Sequence, residues 1–150
     1  MPQSLANILV HITFSTKERR AFLIPAVRGE LSAFIAAAAR EYECPAIKVE
    51  SVADHVHLVV SMSRKRSLSE LIKRLKMSSS RWLKTKGNEF SAFQWQRGYG
   101  AFSISQSALQ DVLDYLAKQE DHHKRMSFQD EFRAFLEKHG IEYDIRYVWD

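Results

Sequence analysis

Apolar and polar residues alternate over 7–15, where Ile8, Val10, Ile12 and Phe14 fall on one side and Leu9, His11 and Thr13 on the other. That period of two predicts a strand. A charged stretch, Lys17-Glu18-Arg19-Arg20, ends it. From Pro25 the period changes: Val27, Leu31, Phe34, Ile35 and Ala38 recur at helical spacing to about Tyr42, and Pro45 closes the element. Strands are predicted at 46–52, with Ile47 and Val49 on one side, and at 55–61, joined through Ala53-Asp54 as a hairpin. Ser67-Leu68-Ser69-Glu70 is a capping box for a helix with Leu68, Leu71, Ile72, Leu75 and Trp82 on its apolar face, ending near Lys86-Gly87. Residues 93–103 carry Trp95, Tyr99 and Phe102 around Gly98 and Gly100, and read as a fourth strand with a distorted entry. Ser105 or Ser107 then opens a helix to about His123, and Ser127-Phe128-Gln129-Asp130 caps a last one that stops at His139-Gly140.

The order is β-α-β-β-α-β followed by two helices. It predicts an α+β, ferredoxin-like fold: a four-stranded antiparallel sheet with two helices on one face and additional C-terminal helices. With 150 residues, no internal repeat and no linker, one domain over 1–150 is expected. The fold hosts many functions and decides none.

Composition narrows the class. Hydrophobic residues make up 45% and charged residues 27%, as in ordinary soluble proteins. A single cysteine, Cys44, excludes a disulfide framework and a cysteine-rich zinc module, and a lone thiol fits a reducing compartment. No leader pattern and no apolar run of about 18 residues is visible, so a cytoplasmic protein with no membrane partner is expected. The net charge is +4, but its placement says more. Arg64, Lys65, Arg66, Lys73, Arg74, Lys76, Arg81, Lys84 and Lys86 face a single nearby acid, Glu70, while the rest of the chain is acidic on balance. Such a stripe is a footprint for a polyanion, although a lone charge run is more often a solvated helix face.

Candidate chemistry sits in two places. In His55-Val56-His57 on a strand, the imidazoles share a face with Cα atoms roughly 6.6 Å apart, while Val56, Leu58 and Val60 turn to a core. Two neutral imidazoles so placed can chelate a divalent metal. The bland alternative is two polar residues on the wet face of an edge strand. In the helix 105–123, Leu109, Val112, Leu113 and Leu116 centre the core stripe; Tyr115 lies about 110° away, with Gln119 one turn on, on a face that need not be buried. A phenol there suits a nucleophile and a carboxamide oxygen a metal ligand; a surface Tyr–Gln pair is the bland alternative. His122 is a candidate neighbour of that site. His123 is expected at the surface, His11 as a satisfied strand histidine, and His139 as a cation at a helix C-terminus. No Gly-rich phosphate loop, nucleophile elbow or His-Glu-x-x-His helix is present.

His55-Val56-His57 resembles the HUH motif, and Tyr115 with Gln119 four residues on resembles the catalytic helix of the single-tyrosine HUH transposases of small bacterial insertion sequences, relatives of the REP-associated tyrosine transposases. Ile12-Thr13-Phe14-Ser15-Thr16-Lys17 with Arg19-Arg20, Asp54-His55-Val56-His57-Leu58-Val59, and Trp95-Gln96-Arg97-Gly98-Tyr99-Gly100 resemble further family segments, in family order. The resemblance implies a single-stranded DNA transposase. His55, His57 and Gln119 would hold one Mg²⁺ or Mn²⁺, and Tyr115 would form a 5′-phosphotyrosine. The implied partners are hairpin-bearing single-stranded DNA and a second copy in a homodimer. Lys17, Arg19, Arg20, Lys73, Arg74, Lys76 and Arg81 are candidate phosphate contacts. Trp82, Trp95, Tyr99 and Phe102 are core residues first and base-stacking candidates second. The catalytic motifs imply no role for the extension 127–150. Two alternatives remain at this level: a domesticated palindrome nuclease of the REP-associated type, and a non-catalytic ferredoxin-like nucleic-acid-binding module.

Overall fold

The computed structural model describes residues 3–123 and 126–150, without the side chains of Glu120 and His122. Strands β1 (Leu9–Ser15), β2 (Ala46–Ser51), β3 (His55–Ser61) and β4 (Gly100–Ile104) form one antiparallel sheet in the order β2-β3-β1-β4. Helices α1 (Pro25–Glu41) and α2 (Leu68–Lys84) cover one face. This is the predicted α+β, ferredoxin-like arrangement. Three further helices, α3 (Leu109–Ala117), α4 (Gln119–His123) and α5 (Phe128–Lys138), complete the described chain.

The strand periodicity sorts residues between the two faces. Ile12 and Phe14 of β1 and Val56, Leu58 and Val60 of β3 join the main core with Val27, Leu31 and Ile35 of α1 and Leu71, Ile72 and Leu75 of α2. The residues between them, His11 and Thr13 on β1 and His55 and His57 on β3, point to the other face and are buried as well. A smaller cluster of Phe102, Phe128, Phe132 and Leu136, with Phe135, Val148 and Trp149 against it, seals that second face with α5 and the C-terminal tail. Gly100 permits this closure, since a Cβ there would lie 2.5 Å from the Phe132 ring.

The local signals explain most boundaries. Pro25 occupies the first turn of α1, and the Ser67 and Ser127 side chains accept from the backbone N–H groups of Glu70 and Asp130 to cap α2 and α5. Three expectations are corrected. The register of β2 shifts between Ala46 and Lys48, so Ile47 stands out at 45% exposure while Ala46 and Val49 pack on the core; a bulge reverses the alternation. The fourth strand begins only at Gly100. Before it, a single bridge between Thr16 and Trp95, with Gln96 N donating to Ser15 O (2.9 Å), replaces a ladder, and side chains add to it: Lys76 Nζ donates to the carbonyls of Gln96 (2.9 Å), Arg97 (3.2 Å) and Gly98 (2.7 Å), and Gln96 Oε1 accepts from Ser15 N (2.6 Å). Finally, the helix expected over 105–123 is broken at Lys118, whose backbone departs from helical angles (φ −106°, ψ 19°). No described helix is long and apolar enough to cross a membrane.

Candidate active site

β3 is a central strand between β2 and β1, so His55 and His57 do not lie on a wet edge. They are 0% and 1% exposed, beneath α4 and α5. Asp54, in the turn before β3, places Oδ1 2.7 Å from His55 Nδ1. A carboxylate there requires the proton on Nδ1 and leaves the Nε2 lone pair facing inward. His55 Nε2 lies 3.4 Å from Gln119 Oε1. His57 Nδ1 lies 2.7 Å from His11 Nε2, so His11 is the satisfied strand histidine expected of it. The break at Lys118 does not separate Tyr115 from Gln119: both side chains reach the same place, Gln119 at 2% exposure and Tyr115 half-buried. Their face, which the helical wheel left free of the core stripe, is covered by α5.

The unexpected member is Glu131 of α5, 2% exposed. Its Oε1 is 2.7 Å from His57 Nε2 and 3.3 Å from His123 Nε2. Its Oε2 accepts hydrogen bonds from the Tyr115 phenol and, at 3.3 Å, from Gln119 Nε2. His123, expected at the surface, instead brings Nε2 to 3.0 Å from Gln119 Oε1. The His122 side chain lies outside the described residues. Ligand atoms of His55, His57, His123 and Glu131 all fall within 4.8 Å of one another, a group able to hold a divalent metal. The extension 127–150 thus enters the site. A signal was present in the sequence: Glu131 interrupts the apolar stripe of Phe128, Phe132 and Leu136, where a charge costs stability unless it is partnered.

The electrostatics follow from burial and from this one carboxylate. Burial pushes His57 down to about 4, with Glu131 opposing, and pushes His11 down to about 3, aided by His57. Both are neutral at pH 7 and carry lone pairs. Burial opposes ionisation of Glu131, but hydrogen bonds from His123 and His57 outweigh it and hold the carboxyl well below its usual range. Burial also works against charge on His123, and Glu131 outweighs it to raise that imidazole. Burial and then Glu131 push the Tyr115 phenol up, so it stays protonated in this arrangement.

The Tyr115 phenol, donating to Glu131, thus adjoins a group of His55, His57, His123 and Glu131 able to hold a divalent metal. Residues 4–119 match the sequence family described as Transposase IS200 like. The chain belongs to the IS200-like transposases. Among solved structures, a Deinococcus radiodurans R1 protein named as a candidate transposase is similar at 20% identity and TM-score 0.62, covering 79% of this chain and 98% of its own. A REP-associated tyrosine transposase bound to a REP hairpin is similar at 14% identity and TM-score 0.61, covering 82% of this chain and 72% of its own. At those identities the likeness speaks for the fold. No curated protein matches the chain. The family places this IS200-like chain among the DNA transposases. Its match ends at Gln119, before α5 and Glu131.

The expected phosphate contacts separate into two kinds in the transposase. Lys17 and Arg20 are exposed, and Arg20 pairs with Glu18 (3.4 Å). Arg19 lines a cleft with Arg28, Asp54, His123 and Phe128 that leads to the site. Lys73 and Arg81 are exposed along a groove with Arg97 and Tyr99, and Arg74 stacks on Tyr42, its Cζ 4.5 Å from the ring centroid. Lys76 departs from expectation: its ammonium is committed to the three carbonyls of 96–98, and burial pushes it down to about 8. Trp95 and Phe102 are core residues, Trp82 stacks on Phe34, and Tyr99 is 38% exposed.

Proposed function

We propose that this transposase cleaves and rejoins single-stranded DNA through a 5′-phosphotyrosine on Tyr115, with His55, His57 and Gln119 holding one Mg²⁺ or Mn²⁺. The observation that carries the reading is the convergence of the Tyr115 phenol, Gln119 and His57 on Glu131, with His55 Nε2 3.4 Å from Gln119 Oε1. The residues fit such an ion by donor chemistry: two imidazoles and an amide oxygen, one imidazole already oriented by Asp54. When bound, the ion supplies Lewis-acid polarisation of the scissile phosphate.

Tyr115 Oη attacks the phosphorus; the new O–P bond forms as the bond to the 3′-oxygen breaks, leaving a 5′-phosphotyrosine and a free 3′-hydroxyl. Glu131 Oε2 positions the phenol through its hydrogen bond, and the phenol proton passes to water as the departing 3′-oxygen takes one from water. Attack by a 3′-hydroxyl reverses these steps and rejoins DNA, because the phosphodiester energy stays in the covalent link. Burial and Glu131 hold the phenol up, and an ion held by His55, His57 and Gln119 would favour its ionisation by placing positive charge beside it.

Hairpin-bearing DNA is the proposed substrate. The Arg19 and Arg28 cleft leading to His123 gives a strand a route to the site, and the Lys73–Arg81 groove gives phosphates a second hold. A hairpin is also what the REP-associated neighbour holds, which favours the palindrome-nuclease version of the same chemistry as the second reading. Two cleavage events are needed for strand exchange and each chain offers one such tyrosine, so a homodimer is part of the proposal, as are a catalytic unit built on 105–123 and a cytoplasmic setting. The test is incubation of labelled hairpin DNA with Mn²⁺ and either wild type or His57→Ala. A covalent protein–DNA adduct with wild type and none with a folded His57→Ala is expected. An adduct at wild-type rate from His57→Ala would remove the metal site from the mechanism.

A further inference from the structure

The proposed site uses His55, His57, Gln119 and Tyr115, yet the group touching most of them is Glu131. It stands on the apolar stripe of α5 among Phe128, Phe132 and Leu136, at 2% exposure. A buried carboxylate is retained only where it is fully partnered. Its Oε1 lies 2.7 Å from His57 Nε2 and 3.6 Å from His55 Nε2. Because Asp54 fixes the His55 proton on Nδ1, His55 Nε2 presents a lone pair to two oxygens, Glu131 Oε1 and Gln119 Oε1, the latter 3.4 Å away. His57 Nε2 and His123 Nε2 lie against the same Glu131 oxygen, at 2.7 and 3.3 Å, and His123 Nε2 also lies 3.0 Å from Gln119 Oε1. Nitrogen and oxygen donors from β3, α4 and α5 thus meet within reach of one cation, which would take the place of the imidazole protons between them. Metal bonds of about 2.0–2.2 Å put two ligands of one ion at most about 4.4 Å apart, and the 2.7 to 3.6 Å separations among these atoms fall inside that limit.

We infer that Glu131 is itself a ligand of the metal: the C-terminal helix delivers a carboxylate that completes the site begun by His55, His57 and Gln119. The inference rests on the reading of the site as a divalent-metal centre and deepens it. It gives an otherwise neutral donor set one negative charge, suiting a hard cation such as Mn²⁺ or Mg²⁺. It also ties α5 to the sheet through the ion, so that metal binding and docking of α5 become one event. His123, with Nε2 3.0 Å from Gln119 Oε1 and 3.3 Å from Glu131 Oε1, aligns the two oxygen ligands.

The experiment is a Mn²⁺ titration of the full chain without DNA, followed by electron paramagnetic resonance of free Mn²⁺, for wild type, Glu131→Gln, Glu131→Asp and His57→Ala. Hydrogen exchange of the Phe128–Lys138 amides is measured with and without the ion. Glu131→Gln keeps the shape and loses the charge. It is expected to weaken Mn²⁺ by roughly 100-fold or more, beyond what losing a ligand's outer partner costs. Mn²⁺ should slow exchange in α5 of wild type and leave it unchanged in Glu131→Gln. Equal Mn²⁺ affinity in wild type and Glu131→Gln, with His57→Ala impaired, overturns the inference and leaves the metal centre standing. No Mn²⁺ binding by wild type removes both. Should Glu131→Gln not fold, Glu131→Asp and the wild-type exchange decide: α5 protection that ignores the ion overturns the inference.

Discussion

Asp54 Oδ1 lies 2.7 Å from His55 Nδ1, at the start of the strand that carries both imidazoles of the site. Neutralising that carboxylate should act on the metal and not on the fold. Asp54 is partly exposed in a turn, so Asp54→Asn costs little stability, but the amide no longer dictates the tautomer that turns the His55 lone pair inward. Mn²⁺ affinity should fall by about 10–100-fold, with Tm in the absence of metal almost unchanged. A Mn²⁺ titration checks this; an unaltered affinity would show that His55 is oriented by other means.

The basic residues should divide by what they touch. Lys73→Ala with Arg81→Ala removes two exposed cations from the α2 groove. Hairpin binding should weaken, and its dependence on log salt should flatten by about 0.7–0.9 per lost phosphate contact. Lys76→Ala should behave differently, because its ammonium clamps three carbonyls ahead of β4. Its main effect should be on stability, a loss of about 1–3 kcal/mol for the part-buried carbonyls of Gln96 and Gly98 left without their donor. Salt titrations and thermal melts on the same proteins separate the two; a changed salt slope for Lys76→Ala at unchanged Tm would return that lysine to the DNA.

Acid should destabilise the metal-free protein above the range where carboxylates titrate. His11 and His57 are pushed from 6.5 down to about 3 and about 4, chiefly by burial. Between 6.5 and those values the unfolded chain binds protons that the folded one refuses, so stability is full above 6.5 and falls as pH drops toward 4. His123 is raised and offsets part of the loss near neutrality. The depressed Glu131 adds a further loss at lower pH. Tm measured in chelator from pH 7 to about pH 4 should decline steadily, and His57→Gln should flatten the decline. A flat Tm for wild type would mean that these imidazoles are not buried neutral.

The sequence carried the order of elements along the chain and the His55–His57 and Tyr115–Gln119 pairs because each is local: period two on the strands, capping serines on the helices, a four-residue spacing between Tyr115 and Gln119. What escaped it was tertiary. The start of β4 depends on Lys76, some twenty residues away, and the bulge at Ile47 depends on pairing with β3. The wheel that set the Tyr115 face apart from the core stripe assumed an unbroken helix and could not see what covers that face; the turn at Lys118 breaks the helix and α5 covers it. Glu131 was the residue most open to detection, a lone acid on an aromatic stripe, but its partners lie on β3, α3 and α4 and no spacing rule links them.

The central claim is that the Tyr115 hydroxyl is the nucleophile, and Tyr115→Phe tests it most directly. The substitution removes one oxygen and keeps the ring that meets Phe135 edge-on, with centroids 5.8 Å apart. Labelled hairpin DNA with Mn²⁺ is run on a denaturing gel beside a binding assay on the same samples. The account predicts that Tyr115→Phe binds hairpin DNA and Mn²⁺ nearly as well as wild type and forms no covalent adduct. An adduct formed by folded Tyr115→Phe at the wild-type rate would contradict it and assign the chemistry to another residue.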